Sequence, residues 1–145
     1  PNIYTPKLEK QIELPNFVGN DFFSGEKVIS DNLLKKNSYY IINIWASWCI
    51  PCRAEHSFLM ALNNKNLNLL GINYKDNISN AQSFLNELGN PYSKILLDNN
   101  GVTSIELGAY GVPETFIVNK EKKIIKKIIG PIDNEKFNEI LELIK

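Results

Sequence analysis

Cysteine is scarce in this chain of 145 residues: Cys49 and Cys52 are the only two. Two cysteines so close together exclude a disulfide framework, which spreads several cysteines along a short secreted domain. A bridge closing so short a loop restricts the unfolded chain little and adds little stability. What is left to such a pair is reactivity. Histidine is limited to His56, so a four-ligand structural zinc site lacks donors. A net charge is also missing, since Lys plus Arg and Asp plus Glu both total 16. That balance argues against a nucleic-acid partner, which calls for a basic excess, and against attachment to an anionic membrane by charge alone. No apolar run reaches the roughly 18 residues that a membrane-spanning helix needs. Arginine occurs once, at Arg53, where its fork can hold a carboxylate.

The 43% hydrophobic content is ample for a packed core without staples and too high for a disordered chain. With no repeat and no linker, residues 1–145 read as one domain and as a monomer. Residues 1–20 read as an irregular N-terminal extension, broken by Pro1, Pro6 and Pro15. The chain starts at Pro1, and the expectation is that a signal or anchor segment precedes it. Phe22 to Ile29 reads as a hairpin around Ser24-Gly25, with Ser30-Asp31 capping a short helix through Lys36. Tyr39 to Trp45 is apolar on both alternating faces, as in a strand covered on both sides. A loop, Ala46 to Trp48, leads into a helix reaching about Asn63. A second buried strand (67–74), a helix (78–88), a short strand (95–97) and a helical turn (103–107) follow. A hairpin of 115–119 and 123–129 and a final helix capped by Asp133 end the chain. The lysines from Lys120 to Lys127 read as a solvated hairpin turn. The order gives an α/β fold, a central mixed sheet with helices on both faces and an N-terminal hairpin extension.

The cysteines sit where the first long strand hands over to its helix. A helix N-terminus offers unpaired N–H groups and a partial positive charge, which stabilise a thiolate. Cys49 is therefore expected to be the exposed attacking thiol. Cys52, one turn on and deeper, is expected to be the resolving thiol. Pro51 in the first turn costs no hydrogen bond. His56 reads as a helix-surface residue, with a third metal ligand beside the cysteines as the alternative.

The string Trp45-Ala46-Ser47-Trp48-Cys49-Ile50-Pro51-Cys52 resembles the active site of the thioredoxin superfamily. The closer likeness is to the membrane-anchored periplasmic branch that serves cytochrome c biogenesis, the DsbE/CcmG family, with TlpA and ResA as cousins. Cys52-Arg53-Ala54-Glu55-His56 is similar to its CRAEH segment, and Gly71 to Asp76 to its GVxYKD segment. Gly108 to Phe116 resembles its GxYGxPETF segment. The likeness spans roughly residues 10–145 and implies a thioredoxin-like three-layer fold.

It further implies that Pro113 is a cis-proline facing the cysteines, with the Val112 backbone free to pair with an extended substrate. Asn43 stands where thioredoxins carry a buried, titrating Asp, so another group must handle the Cys52 proton. Glu55 and Glu114 are the candidates for proton transfer and thiol tuning. Trp48, Tyr110, Val112 and Pro113 are the candidate substrate groove, with Tyr74 also near it; core packing is the competing reading for Tyr74 and Tyr110. The implied activity is thiol-disulfide exchange as a reductant, with the Cys49–Cys52 disulfide as redox group, no other cofactor and no metal. The implied partners are the CxxCH disulfide of apocytochrome c or another cytochrome c maturation protein, and a membrane dithiol electron donor. The implied location is the periplasm, tethered to the inner membrane by an N-terminal segment. The alternatives are a TlpA- or ResA-like reductase with other clients, or a non-catalytic thioredoxin-like docking module. An oxidant of the DsbA type and a peroxiredoxin fit the motif less well.

Overall fold

The computed structural model describes residues 11–35, 37–65 and 67–145. Among the described residues eight strands form one sheet: β1 (Ile12–Glu13), β2 (Val18–Asp21), β3 (Lys27–Ile29), β4 (Tyr40–Trp45), β5 (Asn68–Tyr74), β6 (Lys94–Asp98), β7 (Glu114–Val118) and β8 (Lys123–Ile129). Five helices accompany them in the same described residues: α1 (Ser30–Leu33), α2 (Ile50–Asn63), α3 (Ile78–Leu88), α4 (Val102–Leu107) and α5 (Asn134–Leu143). The strand order is β1-β8-β7-β4-β5-β6-β2-β3. β4, β5 and β6 run parallel, and the remaining pairings are antiparallel.

The unbroken apolar run of β4 follows from its central place. All six of its residues are buried, because successive side chains enter opposite cores. Ile41 and Trp45 join a cluster with residues of α2, α3 and α5, while Tyr40, Ile42 and Ile44 join another with Phe17, Leu34 and Leu107. The sheet is thus a middle layer with helices on both faces, as the sequence pattern predicts. Among the described residues no helix is long and apolar enough to cross a membrane.

The N-terminal expectations need correction. Residues 11–20 are not irregular throughout: β1 pairs with β8 at Ile12↔Ile124, and β2 pairs with β6 at Asn20↔Leu97, with an irregular stretch, 14–17, between them. Residues 1–10 lie outside the described part. The hairpin starts at Val18 and not at Phe22, because Phe22 and Phe23 belong to the turn. Asp21 organises that turn by accepting the Phe23 and Ser24 N–H groups. Ser30 does not cap α1; Ile29 holds the cap position, and the Ser30 hydroxyl accepts from Phe17 N instead. α1 also ends early, at Leu33 with an extended Leu34 as its C-cap, short of the expected Lys36, which itself lies outside the described residues. The lysine run is also more than a turn, since Lys123 to Lys127 form part of β8.

Candidate redox site

Cys49 is the N-cap of α2, and its Sγ accepts the Cys52 N–H at 3.2 Å. Its backbone oxygen accepts from Arg53 N at 3.3 Å. Cys49 and Cys52 are joined as a disulfide, with their Cα atoms 5.2 Å apart. The helix therefore aims an N–H at the sulfur expected to become the thiolate, and its dipole adds to the effect. One expectation fails here. Cys49 is only 4% exposed and Cys52 1%, so the disulfide lies under cover. Both sulfurs belong to the core cluster that holds Trp45, Ala46 and Leu59, and Val112 packs on that cluster.

The rim of the site is tied to the β5–α3 loop. Ser47 donates twice to Asp76, from its N–H and its hydroxyl, each at 2.7 Å. Asn73 donates to the same carboxylate at 3.0 Å. The Trp48 indole N–H donates to Lys75 O at 3.0 Å, which leaves Trp48 57% exposed as an apolar lip. Ile50, between the cysteines, is exposed as well, while Trp45 is core. Tyr74 is half-buried, with its ring 6.5 Å from that of Trp48. Arg53 pairs with Glu87 at 2.8 Å, and both side chains are largely exposed, so the pair contributes little stability.

Beneath the disulfide runs a closed polar network. Tyr92 donates its hydroxyl to Asn43 Oδ1 at 2.7 Å. The Asn43 amide then donates to Glu55 Oε2 at 2.9 Å and to Thr115 Oγ1 at 3.1 Å. The other Glu55 oxygen accepts from Ile132 N at 3.1 Å. Every one of these side chains is buried, and Glu55 is 0% exposed. Burial pushes the Glu55 carboxyl up to about 7, against the opposing pull of the Asn43 and Ile132 donors and of Lys136. Glu55 lies three residues past Cys52 on α2, a spacing that puts two side chains side by side. A group that titrates near neutrality thus stands one turn past Cys52 on α2. Burial, with the Glu55 charge nearby, drives the Tyr92 hydroxyl away from ionisation, well above its ordinary value.

Tyr92 is a residue that sequence reasoning missed. Its ring stacks on Trp45 at 5.7 Å, and both rings press on Gly71, where an added Cβ would sit 2.9 Å from Tyr92. The glycine that opens the Gly71 to Asp76 segment is the signal that could have pointed to a close approach. His56 also departs from expectation. It is 3% exposed, not a helix-surface residue, with Nε2 2.8 Å from Gly89 O and its ring edge-on to Phe84. Burial holds its pKa below the ordinary value. It ties α2 to the loop leading to Tyr92 and does not extend the cysteine pair; among the described residues no cluster of three metal-binding side chains occurs.

The Val112–Pro113 bond is cis. The register Ile44↔Glu114 sets the start of β7 beside the end of β4, next to the segment that carries the cysteines. Tyr110 is 88% exposed, which removes the core reading for it. Glu114 and Thr115 face opposite sides of the sheet, as neighbours in a strand must. Thr115 therefore meets Asn43, while Glu114 turns away from the Glu55 network. Its Oε2 accepts the N–H groups of Tyr110 and Gly111, at 2.5 Å and 2.7 Å, and its Oε1 faces Lys127 Nζ at 3.4 Å. Of the two acids expected to serve the thiols, only Glu55 shares the network beneath them.

The three layers and a CxxC disulfide capping a helix define a thioredoxin-like thiol-redox domain. A family model described as Redoxin matches residues 11–144. The thiol:disulfide interchange protein CycY of Rhizobium leguminosarum bv. viciae is 45% identical over 105 residues, which cover 72% of this chain and 56% of that protein. The thiol:disulfide interchange protein DsbE of Vibrio cholerae is 35% identical over 128 residues, covering 88% of this chain and 69% of that one. In structure, a DsbF homologue from Corynebacterium diphtheriae matches with a TM-score of 0.78 at 20% identity, over 98% of both chains. The chain belongs to the Redoxin family and, within it, to the thiol:disulfide interchange proteins of the DsbE type. The matched stretch is little more than half of the CycY chain, at 56%.

Proposed function

We propose that this domain reduces disulfides in the periplasm, its client being the CxxCH haem-attachment disulfide of apocytochrome c or a mixed disulfide with another maturation protein. The observation that carries the reading is the Cys49–Cys52 pair at the N-terminus of α2, with the Cys52 N–H on Cys49 Sγ and the titratable Glu55 one turn below. In the reduced protein the Cys49 thiolate attacks one client sulfur, breaking the client S–S bond and releasing a thiolate that takes up a proton. Cys52 then gives its proton to Glu55 and attacks Cys49 Sγ, releasing the second client sulfur. Two electrons pass to the client, whose first thiolate takes its proton from solvent and whose second takes up the proton passed on by Glu55, and the Cys49–Cys52 disulfide re-forms. A membrane dithiol donor resets it, and an N-terminal anchor holds the domain near that donor. Trp48, Tyr110, Val112 and Pro113 form the rim on which the client strand lies.

The test is to mix the reduced protein with a peptide carrying an oxidised Cys-x-x-Cys-His segment and follow both partners by mass. The expected result is one peptide dithiol formed for each protein disulfide. Rapid reduction of a small aromatic disulfide while the peptide stays oxidised would mean that the clients are of another kind.

A further inference from the structure

Lys127 of β8 has a side chain only 26% exposed. It pairs in register with Phe116 and emerges on the face shared with Glu114. Its ammonium donates to Gly108 O and stands 3.4 Å from Glu114 Oε1. It also lies over the Tyr110 ring, 4.2 Å from the centroid, and 5.7 Å from that of Phe116. Glu114 holds the same loop from the other end through the Tyr110 and Gly111 N–H groups. One ammonium therefore touches the first residue of the Gly108 to Val112 loop, its most exposed aromatic ring and the carboxylate that fixes its backbone.

We infer that Lys127 is a positioning residue for client binding: it clamps the Gly108 to Val112 loop and holds Tyr110 upright on the rim. An 88% exposed tyrosine has no packing of its own to fix it, so a cation under one ring face supplies the orientation. Most of the ring surface stays accessible to an extended client segment. The ammonium itself meets neither the cysteines nor Glu55, so the clamp acts on client affinity and leaves the electron-transfer chemistry alone. The inference rests on the exchange function proposed above.

The test compares Lys127→Met, which keeps the aliphatic stem, with Lys127→Arg, which keeps the charge. With the oxidised Cys-x-x-Cys-His peptide, Lys127→Met is expected to raise KM about fivefold, the scale of one exposed cation–π contact, with little change in kcat. Lys127→Arg is expected to restore most of that loss. The redox equilibrium of the cysteine pair stays where it is in both variants. Amide exchange at Tyr110 and Gly111 speeds up in Lys127→Met, a readout that needs no client. An unchanged KM with unchanged exchange overturns the clamp, as does a shifted redox equilibrium. Faster exchange in a protein that reduces no peptide upholds the clamp while removing the client reading.

Discussion

Replacing Cys49 with serine abolishes disulfide reduction, a loss of more than about 10³-fold, because the hydroxyl cannot act as the sulfur nucleophile. Replacing Cys52 with serine has a different outcome. Cys49 still attacks, but nothing releases the client, and a covalent mixed disulfide accumulates. The asymmetry follows from the geometry. Cys49 caps α2 and receives the Cys52 N–H, so its thiolate is the stabilised one. Cys52 is the more deeply buried of the two, at 1% exposure. Non-reducing mass analysis after mixing with the oxidised peptide separates the outcomes. An adduct on the Cys49→Ser variant, and none on Cys52→Ser, would reverse the assigned roles.

The second large effect belongs to Glu55. The unfolded carboxyl titrates near its ordinary 4.5, whereas the folded one is pushed up to about 7. Between those values the folded chain keeps a proton that the unfolded chain has lost. Stability from this group is therefore greatest below about pH 4.5, falls as pH rises through the window, and levels off above about 7. The fall amounts to about 3 kcal/mol, because each tenfold difference in proton affinity between the folded and unfolded chains is worth about 1.4 kcal/mol. A Glu55→Gln variant lacks that fall. Its single amide oxygen cannot satisfy both the Asn43 and the Ile132 donors, which costs about 1–3 kcal/mol at every pH. The variant should thus be less stable than the parent at pH 4 and match or exceed it at pH 8. Denaturant titrations at the two values measure this, and a stability difference that does not change with pH refutes the assignment. The same substitution removes a negative charge one turn from Cys52 and should lower the thiol pKa values, read from thiolate ultraviolet absorbance.

What the chain shows by eye is local. The unbroken apolar run of β4, the helix start at the cysteines and Pro51 within the first turn lie within a few residues of one another. Asp133, a helix-capping type, does cap α5 by accepting Lys136 N. What stays hidden is made by contacts between distant segments. Tyr92 reaches Asn43 across 49 residues, and Thr115 reaches it across 72. The burial of His56 is invisible in the sequence because its partner is a backbone carbonyl, Gly89 O, which leaves no mark on residue type. Glu114 resembles Glu55 by its place after Pro113, but strand alternation turns it away from the face where Thr115 meets the Glu55 network. The two-residue strand β1 is too short to show periodicity and exists only through its pairing with β8. Lys127 looks like one more lysine of a charged turn until the sheet register places it under Tyr110.

If the Cys49–Cys52 pair works as a reductant, its equilibrium with a glutathione or dithiothreitol redox buffer shows it most directly. Trp48 next to Cys49 and buried Trp45 provide the fluorescence signal. The expected potential is more reducing than about −200 mV, on the thioredoxin side of a scale where thioredoxin lies near about −270 mV. A value close to about −120 mV, where the strong oxidant DsbA lies, would contradict a reductant and reverse the direction of electron flow.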